Sequence, residues 1–337
     1  MSLKTTRLNQ KLDRIRGGAY QPTDFIIADA KDGDMGGGAG AMGLDNKSAA
    51  GGMAALAKPI AVYRSAMKEM VASGLVDIML TSLSSAEAMA SDDVYNGHDV
   101  THAVRLNDGT DIWGLRGASY RAHPARPFRT VRLDRARALC DLGLYAVTFY
   151  NDVDRDVAAL TAYSEFRDQA SEIGMRHFLE VFNPAFDIDT GGKDIGIFIN
   201  DAITRCLAGV ASAERPLFLK MQYNGARAMA ELAAFDPGNL IVGILGGSAG
   251  TTRDTFELIS QAERFGGRVA LFGRKIYFAE DSVEIVRSMR RVVEGDISPT
   301  EAVKAYHDHL RQTGLTPTRS LEDDIEVTEP TLLPEAK

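Results

Sequence analysis

One lysine interrupts an otherwise apolar run at Arg215-Pro216-Leu217-Phe218-Leu219-Lys220-Met221-Gln222-Tyr223-Asn224-Gly225. The run reads as a short strand of the kind buried on both faces of a parallel sheet. Side chains alternate along a strand, so Phe218, Lys220 and Gln222 share one face and Leu217, Leu219 and Met221 the other. An ammonium in such surroundings is unfavourable unless it is paired or gives up its proton. The second route makes a nucleophile, because a desolvated amine is deprotonated more easily and attacks a carbonyl carbon to form a Schiff base. The plain alternative is a lysine at a strand end reaching water along its own stem.

Other chemistry-bearing side chains fall at the ends of apolar runs. Asp29 closes Phe25-Ile26-Ile27-Ala28-Asp29, Arg105 and Asn107 end another run, and Glu180 shares the parity of Phe178 in Phe178-Leu179-Glu180-Val181-Phe182. A carboxylate beside an amine within low-dielectric walls supplies the proton transfers of carbinolamine and enamine formation. Taken singly, each acid reads equally well as a solvated strand end. Two glycine turns follow the last two apolar runs, Gly246-Gly247-Ser248 and Gly273-Arg274-Lys275. Backbone N–H groups in such turns can cradle a phosphate, with Arg274 adding a charge-assisted contact. A further stretch, Gly38-Ala39-Gly40-Ala41-Met42-Gly43, matches the dinucleotide pattern G-x-G-x-x-G in letters alone. It is separated from the preceding strand and leads into polar sequence rather than a helix, so it is expected to be a flexible cover over a site and not a nucleotide cradle.

These residues need a scaffold that gathers strand ends. Apolar strand candidates lie at 24–29, 76–80, 102–106, 145–150, 176–181, 217–222, 240–245 and 269–272, with helical patterns at 133–142, 156–173, 194–208, 225–235, 251–265 and 282–293. Gly143, Gly174, Gly209 and Gly266 stand where helix C-caps are expected. Eight strands alternating with helices predict an α/β fold, a closed (β/α)8 TIM barrel whose active site sits at the C-terminal ends of the strands. The expected organisation is an N-terminal docking helix in 1–20, a barrel over 21–312 ending in an extra helix, and a Pro-, Thr- and Glu-rich tail over 313–337 ordered only by a partner.

The chain has 337 residues, 45% hydrophobic, with a formal charge of -8. That acidic balance argues against nucleic acid or an anionic membrane as partner. No apolar run approaches the length of a membrane span, and the start carries no signal-peptide core. Cys140 and Cys206 build neither a disulfide framework nor a zinc motif, which favours a reducing cytoplasm. The six histidines do not cluster at strand ends, so no metal is expected, and no cofactor is implied.

From about residue 24 to 312 the chain resembles the class I (Schiff-base) aldolases that group deoxyribose-phosphate, archaeal-type fructose-bisphosphate and tagatose-1,6-bisphosphate aldolases. The likeness rests on Phe218-Leu219-Lys220, Asp29, Phe149-Tyr150-Asn151-Asp152, Phe178-Leu179-Glu180, Gly246-Gly247-Ser248 and Gly273-Arg274-Lys275-Ile276-Tyr277. It implies cleavage or formation of a C–C bond in a phosphorylated ketose, with Lys220 as the imine-forming lysine and Glu180 or Asp29 moving protons. It also implies that Gly246, Gly247, Ser248, Gly273, Arg274, Arg105 and Tyr150 hold substrate and phosphate, in a homo-oligomer. The sequence departs from the family's pattern at Thr148, near a strand-4 lysine of the tagatose branch, and at Phe182, where the fructose branch has a tyrosine. The alternatives are a thiolase- or transaldol-type relative on the same barrel and a non-enzymatic sugar-phosphate-binding protein.

Overall fold

The computed structural model describes residues 6–45, 48, 54–247 and 250–335. Eight parallel strands close into a barrel: β1 (Ile26–Lys31), β2 (Ile78–Thr81), β3 (Thr101–Arg105), β4 (Leu142–Thr148), β5 (Arg176–Phe182), β6 (Leu219–Met221), β7 (Gly243–Leu245) and β8 (Val269–Phe272), each beside its sequence neighbour and β8 beside β1. Thirteen α-helices accompany them among the described residues: α1 (Arg7–Arg16), α2 (Gly33–Gly37), α3 (Ile60–Ser73), α4 (Leu83–Ser91), α5 (Leu133–Arg137), α6 (Val153–Glu172), α7 (Ile195–Ala208), α8 (Ala226–Phe235), α9 (Thr252–Arg264), α10 (Arg274–Tyr277), α11 (Ser282–Val293), α12 (Pro299–Thr313) and α13 (Leu321–Asp324). The (β/α)8 barrel expected from the alternation is therefore the fold.

Strand parity sorts the core into two layers. Ile26, Ala28, Ile78, Leu80, Leu144, Phe178, Phe218 and Leu271 fill the barrel interior, with Phe178 stacked on Phe218 at 4.7 Å between ring centroids. Their alternates, such as Ile27, Met79, Leu179 and Phe272, pack outward against the helices. Leu8, Leu12 and Ile15 of α1 join the inner layer, so the N-terminal helix stops the base of the barrel. Behind it Asp77, fully buried, meets Arg7 Nε at 2.8 Å, Lys11 Nζ at 3.1 Å and Arg290 Nη2 at 2.8 Å.

Two sequence expectations change. The pattern at 133–142 predicts one helix closed by Gly143, but α5 ends at Arg137 and Gly143 lies inside β4. A Cβ there would stand 2.3 Å from Leu106 Cδ1, so the glycine is required by packing between strands rather than by a cap. The segment after α12, expected to be a tail awaiting a partner, lies against the chain's own α9, α10 and α12. Thr252 N donates to Asp324 at 2.8 Å, Thr328 N and Oγ1 donate to Asp254 at 2.7 and 2.6 Å, and Gln261 Nε2 donates to Leu332 O at 2.8 Å. The segment lacks helical periodicity because it docks through hydrogen bonds around the start of α9, with Leu332 as a buried apolar anchor.

Candidate active site

The C-terminal strand ends surround a cavity of about 420 Å3 with Lys220 in its lining. Lys220 shares the inward parity of Phe218, and pairs in register with Glu180 on β5. That register brings Lys220 Nζ to 2.6 Å from Glu180 Oε1. Glu180 Oε2 accepts from Arg105 Nη1 at 3.3 Å, and the same nitrogen reaches Asp32 Oδ2 at 2.9 Å. Arg105 Nε donates to Asn107 O at 3.0 Å, and its guanidinium lies 6.0 Å from the Phe182 ring centroid. All four charged residues are buried, and two cations facing two carboxylates leave the group formally neutral. Burial works against the Asp32 carboxylate, but the nearby Arg105 and Lys220 charges outweigh it and hold the carboxyl below the usual range. Arg105 Nη2 is buried with no hydrogen-bond partner among the described residues.

Lys220, Glu180, Arg105, Gly246, Gly247, Gly273 and Arg274 all line this one cavity, as their sequence positions suggest. Gly273 lies so close to β1 that a Cβ would meet Ala30 O at 2.6 Å, which fixes the floor of that turn. Ser248 lies outside the described residues. The glycine stretch after β1 forms α2 and a helical turn over 38–42, and its Gly36, Gly37, Gly40 and Ala41 make one wall. Gly114 N donates to Gly36 O at 2.9 Å, tying this wall to the long connection between β3 and β4.

Two expected residues are elsewhere. Asp29 has the parity of Phe25 and Ile27, so it faces the helix layer and not the barrel interior. There it meets Lys31 Nζ at 2.5 and 2.6 Å, fully buried, and burial raises its pKa against the pull of that lysine. Asp32 is the strand-1 carboxylate in the cavity. It continues the inward parity of Ala28 and Ala30, a signal the sequence carried. Tyr150 is buried in a neighbouring recess. Its hydroxyl donates to Asp111 Oδ2 at 2.9 Å and accepts from Ala125 N at 2.9 Å, while Thr148 Oγ1 donates to the same Asp111 oxygen at 2.7 Å. Burial and the Asp111 carboxylate push the phenol pKa up, so Tyr150 braces the β3–β4 connection. Arg121, from that connection, lines the cavity without any forecast in local sequence pattern. Among the described residues no group of three or more His, Cys, Asp or Glu side chains is arranged to hold a metal ion, and no helix is long and apolar enough to cross a membrane.

No family model and no curated protein sequence matches the chain. Solved structures do. An archaeal fructose 1,6-bisphosphate aldolase is 14% identical with a TM-score of 0.62, covering 86% of this chain and 99% of its own. An archaeal fructose-1,6-bisphosphate aldolase whose catalytic Lys is covalently bound to the carbinolamine intermediate is 14% identical with a TM-score of 0.62, covering 85% and 99%. A fructose-bisphosphate aldolase from Slackia heliotrinireducens is 13% identical with a TM-score of 0.62, covering 90% and 91%. The chain shares the (β/α)8 fold of structures described as archaeal and bacterial fructose-bisphosphate aldolases, Schiff-base-forming examples among them.

Proposed function

We propose that the protein is a Schiff-base aldolase acting on a phosphorylated ketose. The observation that carries this is the 2.6 Å contact between Lys220 Nζ and Glu180 Oε1 at the wall of a cavity at the C-terminal strand ends. Glu180 accepts the ammonium proton, and the free amine attacks the substrate carbonyl carbon. The resulting carbinolamine takes a proton on its hydroxyl oxygen and loses water, leaving an iminium on Lys220. When the C–C bond beyond the neighbouring carbon breaks, its electron pair passes into the iminium and gives an enamine. The β-hydroxyl surrenders its proton to a carboxylate as the aldehyde leaves. Asp32, kept ionised by Arg105 and Lys220, suits that base role, and the unpartnered Arg105 Nη2 suits a substrate oxygen. Gly246, Gly247, Gly273 and Arg274 take the phosphate. The likeness of fold to Schiff-base fructose-bisphosphate aldolases supports the reading, and a fructose- or tagatose-bisphosphate-type ketose is the substrate class we favour.

The test is mass spectrometry after borohydride treatment in the presence of dihydroxyacetone phosphate and a panel of ketose phosphates. An adduct mapped to Lys220 is expected. Folded protein that gives no adduct with any of them moves the non-enzymatic binding reading to the front.

A further inference from the structure

The charges on the cavity floor compensate one another; those on its rim do not. Arg121 and Arg274 line the same cavity, and among the described residues neither guanidinium makes an ion pair or a hydrogen bond. They sense each other, since the Arg274 pKa is lowered first by partial burial and next by the charge of Arg121. Both side chains are exposed, so water and salt soften this repulsion, and an anion between the two groups would turn it into attraction.

Arg121 is itself exposed, but the connection that carries it is built. Residues 108–109 pair antiparallel with 127–128, and Trp113 sets its ring edge-on to Tyr120 at 5.2 Å and to Phe128 at 5.4 Å. Asp111, in the same connection, is fixed by Thr148 and Tyr150 on β4 and just beyond it. Arg121 follows Tyr120 directly, so the packed ring places the arginine at the rim. Gly246, Gly247 and Gly273 line the same cavity as Arg274.

We propose that Arg121 and Arg274 together grip one dianionic group, a phosphate monoester of the substrate, and that Arg121 thereby selects phosphorylated over neutral carbonyl compounds. A carboxylate offers two oxygens and one charge, which a single arginine fork satisfies. A phosphate monoester offers three oxygens and a second charge, which suits two forks. The inference rests on the proposed aldolase reading for the nature of the substrate, but not for the presence of the anion site.

The test is calorimetric titration of inorganic phosphate at about pH 6 and about pH 8 into the wild type, Arg121→Gln and Arg274→Gln. It is paired with borohydride trapping, at Lys220, of dihydroxyacetone phosphate and of dihydroxyacetone, a ketone without phosphate. The wild type is expected to bind phosphate more tightly at the higher pH, as the anion gains its second charge. Arg121→Gln is expected to weaken binding about tenfold or more, the effect of losing one charge-assisted contact, and to flatten the pH dependence. The preference for trapping dihydroxyacetone phosphate over dihydroxyacetone at Lys220 should fall in Arg121→Gln. Unchanged phosphate affinity in Arg121→Gln overturns the clamp, and so does loss of neutral-ketone trapping in that variant, which would make Arg121 a support for the lysine. If the wild type binds phosphate in an Arg121-dependent way but traps no ketone or ketose phosphate, the clamp stands and the aldolase reading falls.

Discussion

The barrel carries a buried charge cluster at each end, and the two behave as opposites. At the base, Asp77 alone faces Arg7, Lys11 and Arg290, under a helix that stops the barrel. At the mouth, Lys220 and Arg105 face Glu180 and Asp32 beside an open cavity. Both clusters draw on ions that are expensive to remove from water. Removing the Asp77 charge leaves three cations around a buried side chain, and nothing at the base can use them. The mouth is balanced, so a proton can pass from Lys220 to Glu180 with no net change of charge in the cluster. Accessibility and balance, rather than burial alone, separate a site from a staple.

Five substitutions sharpen or break this contrast. Lys220→Met should abolish turnover while leaving the circular dichroism spectrum and the fold intact; a retained rate would remove the imine from the mechanism. Glu180→Gln should lower kcat by about a hundredfold or more, the usual scale for a lost general acid–base, and Asp32→Asn should do the same where Asp29→Asn does not. A steady-state assay of these variants checks the assignment of the strand-1 carboxylate. Asp77→Asn should instead destabilise the fold by about 3–5 kcal/mol in chemical denaturation, as expected when a buried pair loses one partner, while the folded fraction keeps its kcat. Loss of activity without loss of stability in that variant would erase the distinction between the ends.

The smallest effect is a pH window at the base. Burial lowers the Lys11 pKa from 10.5 to about 8, with Asp77 opposing the shift. Between those values the unfolded chain holds a proton that the folded chain has released, so stability should rise as pH rises through the window. Lys11→Met should flatten that part of the stability–pH curve. On the acid side the sign comes from Asp77 and Asp32, whose pKa values are held down by neighbouring cations despite burial. Their stabilisation is present above the ordinary carboxylate range and is lost as pH falls through their lowered native values.

Much of this was legible in residue order. Alternating apolar runs and helical stretches are direct consequences of strand and helix periodicity, so the eight strands and α6, α7, α8, α9, α11 and α12 could be read with shifts of a few residues at their ends, whereas α3 and α4 were not read. Lys220, Glu180 and Arg105 could be read together because each sits at a strand end with inward parity. Asp29 shows the limit of that method. A one-residue error of parity moves a side chain from the cavity to the helix layer, and the parity of Ile26, Ala28 and Ala30, followed one step past the strand, leads to Asp32 instead. Arg121 was beyond reach for another reason: the β3–β4 connection is held by long-range ring packing and side-chain hydrogen bonds, which leave no local period. The C-terminal segment was misread on the same ground.

That segment has a consequence for one side of the cavity. Residues 324–329 tie down the start of α9, beside the β7 turn, and Glu329 reaches Lys275 Nζ in the β8 turn at 3.0 Å. These residues are translated after every strand of the barrel. The start of α9 and the β8 turn are therefore fastened by a segment that follows every barrel strand in the chain, so that shortening this segment would loosen one side of the cavity without touching a strand.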